Sequence, residues 1–373
     1  MRDFFLQHKK LHIWLLSALG VLLVLRLCRG NRVWMNALAD RVILPLRRML
    51  GALCYRVDFS VMEVLYVLAG LAALAYLVWS VIAVVRARGK RARRAYGAAL
   101  GAVCAAVTVY TLFFFLWGLG FWTDSFQDKS GIYAQGVAVE DLRAVTACFA
   151  ERTAEAADSV PRDEAGVFDL SWQEILADSP HVYDNLEEEF PFLAFEDWGV
   201  KPMFFSRLMS WMDFTGFYCA YTGESNVNID SPACLLPSTV THELAHQRGV
   251  ASEQECNFLA VLAATTSGNP AYVYSGWLMG YIYLGNALYE ADPESYWAIR
   301  ETLPETVLAD LRFNNDYWAQ FRTSAVKTVS NKVYDRMLKA YGDERGIQSY
   351  GTVVDLLVVY YRPDSQYRGA PLP

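Results

Sequence analysis

The run Thr241-His242-Glu243-Leu244-Ala245-His246 puts two imidazoles four residues apart on either side of a carboxylate. Read as helix, that spacing sets both rings on one face, one turn apart, which is the bite a zinc ion needs. Glu243 then lies beside the open coordination position, where a carboxylate can take a proton from a metal-bound water. Only five histidines occur in the chain, and two of them fall in this turn. The chemistry these residue types point to is metal-dependent hydrolysis.

A third ligand must come from residues beyond this turn. Gly249, three residues after His246, is a helix stop, because glycine accepts the left-handed backbone that ends a helix. The chain can then fold back and present another acidic group. Glu253 and Glu255 are the candidates, and they point to different sides of a helix beginning near Ser252. Glu253 is preferred: Asn257 stands four residues on, on the same face, placed to hydrogen-bond a ligating group. A His242, His246, Glu253 set leaves one position for water, the catalytic rather than the structural arrangement of zinc. An acidic residue is also favoured at a helix N-terminus by the dipole, a role that does not exclude ligation. Cys256 reads as a small buried residue rather than a ligand.

With those residues in place, Glu253-x-x-x-Asn257 resembles the Glu-x-x-x-Asp element that supplies the third ligand in gluzincin metallopeptidases, with Asn where that family has Asp. The departure loses a charge, so an imidazole oriented by Asn257 is less strongly polarised. The loop between the second histidine and the third ligand is also unusually short. A wider resemblance runs through Lys201 to Ser210, Thr222 to Asn228, the His-Glu-Leu-Ala-His-Gln-Arg-Gly run from His242 to Gly249, and Ser349-Tyr350-Gly351. These segments resemble an uncharacterised bacterial family of membrane-anchored, zincin-like proteins known as a domain of unknown function. The resemblance implies the ligands His242, His246 and Glu253 and leaves the substrate open. In zincin folds an edge strand precedes the metal-binding helix and pairs with substrate backbone. Ser225 to Asp230 occupies that position and alternates polar and apolar side chains as a half-buried strand does; a surface loop is the other reading.

The elements that must position this motif divide the chain in two. Residues 1 to 122 carry 16 Lys or Arg and 4 Asp or Glu, leaving 17 and 36 of the chain's 33 and 40 for the remainder. An acidic second half argues against nucleic-acid binding, and the split fits a membrane module joined to a soluble domain. Three apolar stretches, about 11–27, 59–85 and 96–122, are long enough to cross a bilayer, which takes about 20 residues. Arg26, Arg29 and Arg32 crowd the place of a signal-peptide cleavage site, so the first is an uncleaved anchor. The segment 31–58 alternates Arg41, Arg47, Arg48 and Arg56 with apolar residues around Pro45 and reads as interfacial. Arg86, Arg88, Lys90, Arg91, Arg93 and Arg94 form the densest basic cluster. By the positive-inside rule that loop is cytoplasmic and the domain after Trp122 is extracytoplasmic, although the arginines of 31–58 pull the other way.

The remaining residues, 123–373, number ~250, enough for one substantial core. Val137 to Ala157 has helical spacing. Ala271 to Tyr289 is apolar enough to suggest a fourth span, but its Ser275, Asn286, glycines and tyrosines favour a buried helix of the domain. Cys219 and Cys234 bracket the expected strand and can bridge in an oxidising compartment. The expected fold is therefore mainly α: three N-terminal transmembrane helices, then a zincin-like, mostly helical domain with a small β element. The expected function is a membrane-anchored zinc peptidase acting on a peptide or protein, with Glu243 as general base. Tyr350, Tyr334, His181 and Arg248 are candidate oxyanion donors. A non-catalytic scaffold or sensor locked by zinc, and hydrolysis of a non-peptide ester or amide, are the alternatives.

Overall fold

The computed structural model describes residues 6–196, 198–322, 325–340 and 350–367, with backbone alone at 325, 326, 334, 337–340 and 350. The chain divides into two units: Met1–Arg56, Val61–Thr123 and Ala220–Gly223 form the first, and Val57–Ser60, Asp124–Cys219 and Glu224–Pro373 the second.

In the first unit, three helices are long and apolar enough to cross a membrane: α1 (Lys9–Cys28), α2 (Val61–Arg86) and α3 (Arg91–Leu116). Each is apolar all round, as a helix surrounded by hydrocarbon must be. Few of their residues are buried by protein, and α3 is the most covered because α1 and α2 both pack on it. Polar tips tie these contacts: Trp14 Nε1 donates to Thr108 Oγ1 at 2.9 Å, and Tyr76 Oη to the Ala98 carbonyl at 2.8 Å. Between α1 and α2, the helices Arg32–Leu38 and Leu44–Cys54 are joined by a π-helical turn, Ala39–Ile43. Pro45 has no N–H to give to a regular helix, and the wider turn precedes it.

The second unit is built on helices α4 (Val139–Ala157), α5 (Leu236–Gln247), α6 (Glu253–Thr266), α7 (Pro270–Ala291) and α8 (Tyr350–Tyr361), with shorter helices around them. The segment 271–289 is a helix of this core: α7 packs against α4, α5, α6 and α8, and Asn269 caps its start by accepting from the Ala271 and Tyr272 amides. Gly280 lets the α4 ring of Phe149 lie against the α7 backbone; a Cβ there would stand 2.2 Å from that ring. Such close packing ties α4 and α7 together.

A single small sheet is present among the described residues: β1 (Lys201–Pro202), β2 (Gly216–Cys219) and β3 (Glu224–Val227), in the order β1-β3-β2. β3 runs parallel to β1 and antiparallel to β2. The segment expected as a half-buried edge strand is thus a strand over its first part, but it is central and buried on both faces. The polar side chains that suggested alternation are held inside. Glu224 accepts from Lys201 Nζ at 2.7 Å, and Ser225 Oγ donates to the Glu243 carbonyl at 2.9 Å. Burying such groups is tolerated because each finds a partner. β2, four residues long, is an outer strand of the sheet and packs against α5.

Candidate metal centre

Helix α5 carries the His-Glu-x-x-His motif, and its register is fixed from several sides. Pro237 occupies its first turn, where no N–H is needed. Thr241 Oγ1 donates to the Ala260 carbonyl of α6 at 3.0 Å, Tyr183 Oη to the Thr241 carbonyl at 2.8 Å, and Ser225 of β3 to Glu243 as above. Gly249 ends the helix with φ +97°, and the Val250 amide turns back to the Ala245 carbonyl at 3.2 Å. Only glycine takes that backbone without strain. Four residues later Glu253 opens α6, so the short loop returns an acidic side chain to the face that carries both histidines.

His242 Nε2 and Glu253 Oε2 are 3.2 Å apart, and His246 Nε2 and Glu253 Oε1 are 3.5 Å apart. The donor atoms of His242, His246 and Glu253 all lie within 4.8 Å of one another. Ligands about 2.0–2.1 Å from a tetrahedral zinc stand roughly 3.3 Å from each other, and the two His–Glu separations, 3.2 and 3.5 Å, are of that size.

The far nitrogens of the two rings sharpen this. His242 Nδ1 faces Asn257 Oδ1 at 2.8 Å, and His246 Nδ1 faces the Val250 carbonyl at 2.9 Å. Both partners are acceptors, so each Nδ1 donates to its partner and each ring turns its Nε2 toward Glu253. Two lone pairs and a carboxylate at these distances repel unless positive charge lies among them, either a second proton on the imidazoles or a cation. Burial works against the Glu253 carboxylate, yet the imidazoles of His246 and His242 hold it well below the usual carboxylate range. Cys256 Sγ lies behind His246, 3.2 Å from Nδ1, and burial pushes its thiol well above the ordinary value. It backs the ring and stands away from the donor set.

Glu243 is buried, with 4 % of its surface exposed, and its Oε2 has no hydrogen-bond partner among the described residues. Burial pushes its carboxyl up to about 8, against a smaller pull from His242, and nearby Glu253 adds to the rise. A dication within a few ångströms would pull it down again. The space for this carboxylate is made by Gly216 at the start of β2, where a Cβ would stand 2.3 Å from Glu243 Oε1.

Of the two acidic candidates, Glu255 turns the other way. Its carboxylate accepts from the Phe126 and Gln127 amides at 3.0 and 3.2 Å and caps the helix Phe126–Ser130. Arg248, a candidate oxyanion donor, is spoken for: it pairs with Glu187 at 2.7 Å, and its guanidinium carbon lies 4.1 Å from the Tyr183 ring centroid. His181 is exposed beside Asp184. The side chains of Tyr334 and Tyr350 lie outside the described residues, as does Ser349 of the Ser349-Tyr350-Gly351 segment. Cys219 and Cys234, whose pairing the sequence left open, are both buried free thiols. Sequence reasoning missed Gly216, Ser225 and the Val250 carbonyl. The first two are far from the motif along the chain, and the third is a main-chain atom that no side-chain pattern reveals.

No curated protein and no solved structure matches this chain. A sequence-family model matches residues 40–358, a span that takes in α2, α3, the sheet and the His-Glu-x-x-His helix, and the chain belongs to that family, described as a protein of unknown function (DUF3810).

Proposed function

We propose that this protein is a membrane-anchored metallopeptidase with a gluzincin-like site on a zincin-like domain, using Zn2+ held by His242, His246 and Glu253. The observation that carries the reading is the meeting of two imidazole Nε2 atoms and one carboxylate beside a buried carboxylate oxygen that has no partner among the described residues. That oxygen belongs to Glu243, the residue in position to act as general base. The ion would polarise a carbonyl and lower the pKa of a water, and imidazole with carboxylate suits zinc among divalent ions. Glu243 takes the proton as water attacks the carbonyl and returns it to the leaving amine. Asn257 and the Val250 carbonyl keep the two rings in the tautomer that presents Nε2. Gly216 leaves Glu243 the room to move between the two ends of that transfer. The outer edge of β2, which begins at Gly216, is where an extended peptide would add as a further strand, and β-augmentation orients such a substrate past Glu243.

The basic loop between α2 and α3 favours an extracytoplasmic domain, where the substrate is a peptide or protein outside the membrane. Zinc content and peptide cleavage measured for wild type and Glu243→Ala test the reading. A catalyst keeps its metal in the variant and loses about 10²–10⁴-fold in kcat/KM, the range for a general base. Metal bound equally by both proteins, with no cleavage by either, leaves the alternative of a metal-locked scaffold or sensor. Equal cleavage by both ends the peptidase reading.

A further inference from the structure

The end of the first unit where α1 finishes carries cations that the metal chemistry does not use. Arg26, in the last turn of α1, donates to Tyr110 Oη at 3.0 Å, and its guanidinium carbon lies 5.7 Å from the Phe114 ring centroid. Arg29 lies 5.2 Å from the Trp122 ring centroid, and Arg32 donates to the Thr123 carbonyl at 3.2 Å. All three arginines are exposed. Among the described residues, what fixes Arg26 and Arg29 is a hydroxyl and two aromatic rings rather than a carboxylate, so most of their N–H donors stay available.

Charge bias along the sequence does not account for this group. Lys9 and Lys10 open α1 and Arg26 closes it, so they stand at opposite ends of one span. The basic residues that the positive-inside rule explains, those at the start of α1 and in the α2–α3 loop, are at the other end. Leading up to Arg26 on the same face are Leu16, Leu19 and Leu23, at spacings of three and four residues, with 68, 42 and 58 % of their surface exposed. An apolar strip that ends in pre-oriented guanidinium groups has the polarity of a phospholipid lying along the helix. The guanidinium fork matches phosphate oxygens, and side chains already held against rings lose less freedom on binding.

We infer that Arg26 and Arg29, with Arg32 beside them, bind the headgroup phosphate of an anionic phospholipid whose acyl chains lie along Leu16, Leu19 and Leu23. The site is independent of the metal centre and of peptide cleavage.

The test uses the full chain in nanodiscs of phosphatidylcholine with and without phosphatidylglycerol, with bound lipid counted by native mass spectrometry over a lipid titration. Wild type is expected to retain phosphatidylglycerol over phosphatidylcholine. Arg26→Gln/Arg29→Gln should weaken that binding about thirtyfold, at about 1 kcal/mol per arginine. Arg88→Gln/Arg93→Gln removes the same charge from the α2–α3 loop and the first turn of α3 and should change binding less than about threefold. Millimolar inorganic phosphate should leave the bound lipid in place. Equal weakening by the two double variants, equal retention of both lipids, or displacement by inorganic phosphate each overturns the inference. Where the double variant does not assemble, Arg26→Gln and Arg29→Gln are measured singly, each expected about fivefold weaker, and wild-type binding in both overturns it as well.

Discussion

Asp310 and Glu243 are both buried carboxyl groups of the second unit, and they differ in what meets them. Asp310 accepts from Arg162 at 2.9 Å, from the Phe168 amide at 2.7 Å and from Tyr274 Oη, so its charge is paired and its oxygens are filled. Arg162 in turn lies 5.1 Å over the Tyr274 ring. Glu243 has one oxygen with no partner among the described residues and a second acidic side chain for a neighbour. A filled network of this kind fixes a core, whereas a buried carboxyl left open costs stability and persists where a ligand or a reaction requires it. The contrast separates the structural charges of this domain from those of its candidate site.

The largest expected effect breaks the filled cluster. Asp310→Ala leaves the half-buried Arg162, the Phe168 amide and Tyr274 without their acceptor and should cost about 3 kcal/mol by chemical denaturation, with the three candidate ligands still able to take up metal. A small cost there would erase the distinction between the two carboxyls.

The next sharpens the open side and carries a sign. In metal-free protein the folded chain holds the Glu243 proton more tightly than the unfolded chain, whose carboxyl titrates near its ordinary value of 4.5. Stability is therefore undiminished below about 4.5 and falls as pH rises toward about 8, where the folded carboxyl ionises in turn. Glu243→Gln in chelator should match wild type at low pH and exceed it by at least about 1 kcal/mol near pH 8. Parallel pH profiles for the two proteins would show that the carboxyl is not strained.

Asn257→Ala removes the acceptor behind His242 and should weaken zinc binding about 10–100-fold in a competition titration, with the fold retained. Unchanged affinity would mean that Asn257 does not orient the ring. The smallest effect separates the neighbouring acids: Glu255→Gln loses charge at the cap of Phe126–Ser130 and should cost about 1 kcal/mol in thermal unfolding while leaving zinc affinity unaltered. A loss of zinc in that variant would move the third ligand from Glu253 to Glu255.

Much of the candidate site was legible because its parts are close along the chain. The helix stop at Gly249, the histidine pair on one face and the placement of Asn257 all follow from helical spacing within one short stretch, from His242 to Asn257. The three apolar helices were legible for a similar reason, since length and composition alone mark a helix that hydrocarbon can surround. A small β element was legible as well, but not the place of its strand in the sheet. Alternation in Ser225 to Asp230 suggested one wet face, but Lys201, the Glu243 carbonyl and neighbouring strands supply partners that let the polar side chains sit inside. The outer strand beside the site is instead Gly216–Cys219, a segment with no chemical motif of its own.

By itself, then, the sequence determined the donors and their order: two imidazoles, a carboxylate between them, and an acidic residue after a glycine turn, because those relations need only helix geometry. The tertiary structure alone decided which histidine Asn257 meets, which main-chain carbonyl backs the other, and that a glycine on another element makes room for Glu243. Those choices depend on which surfaces meet when the core packs, and contacts between distant segments leave no periodic trace in either one.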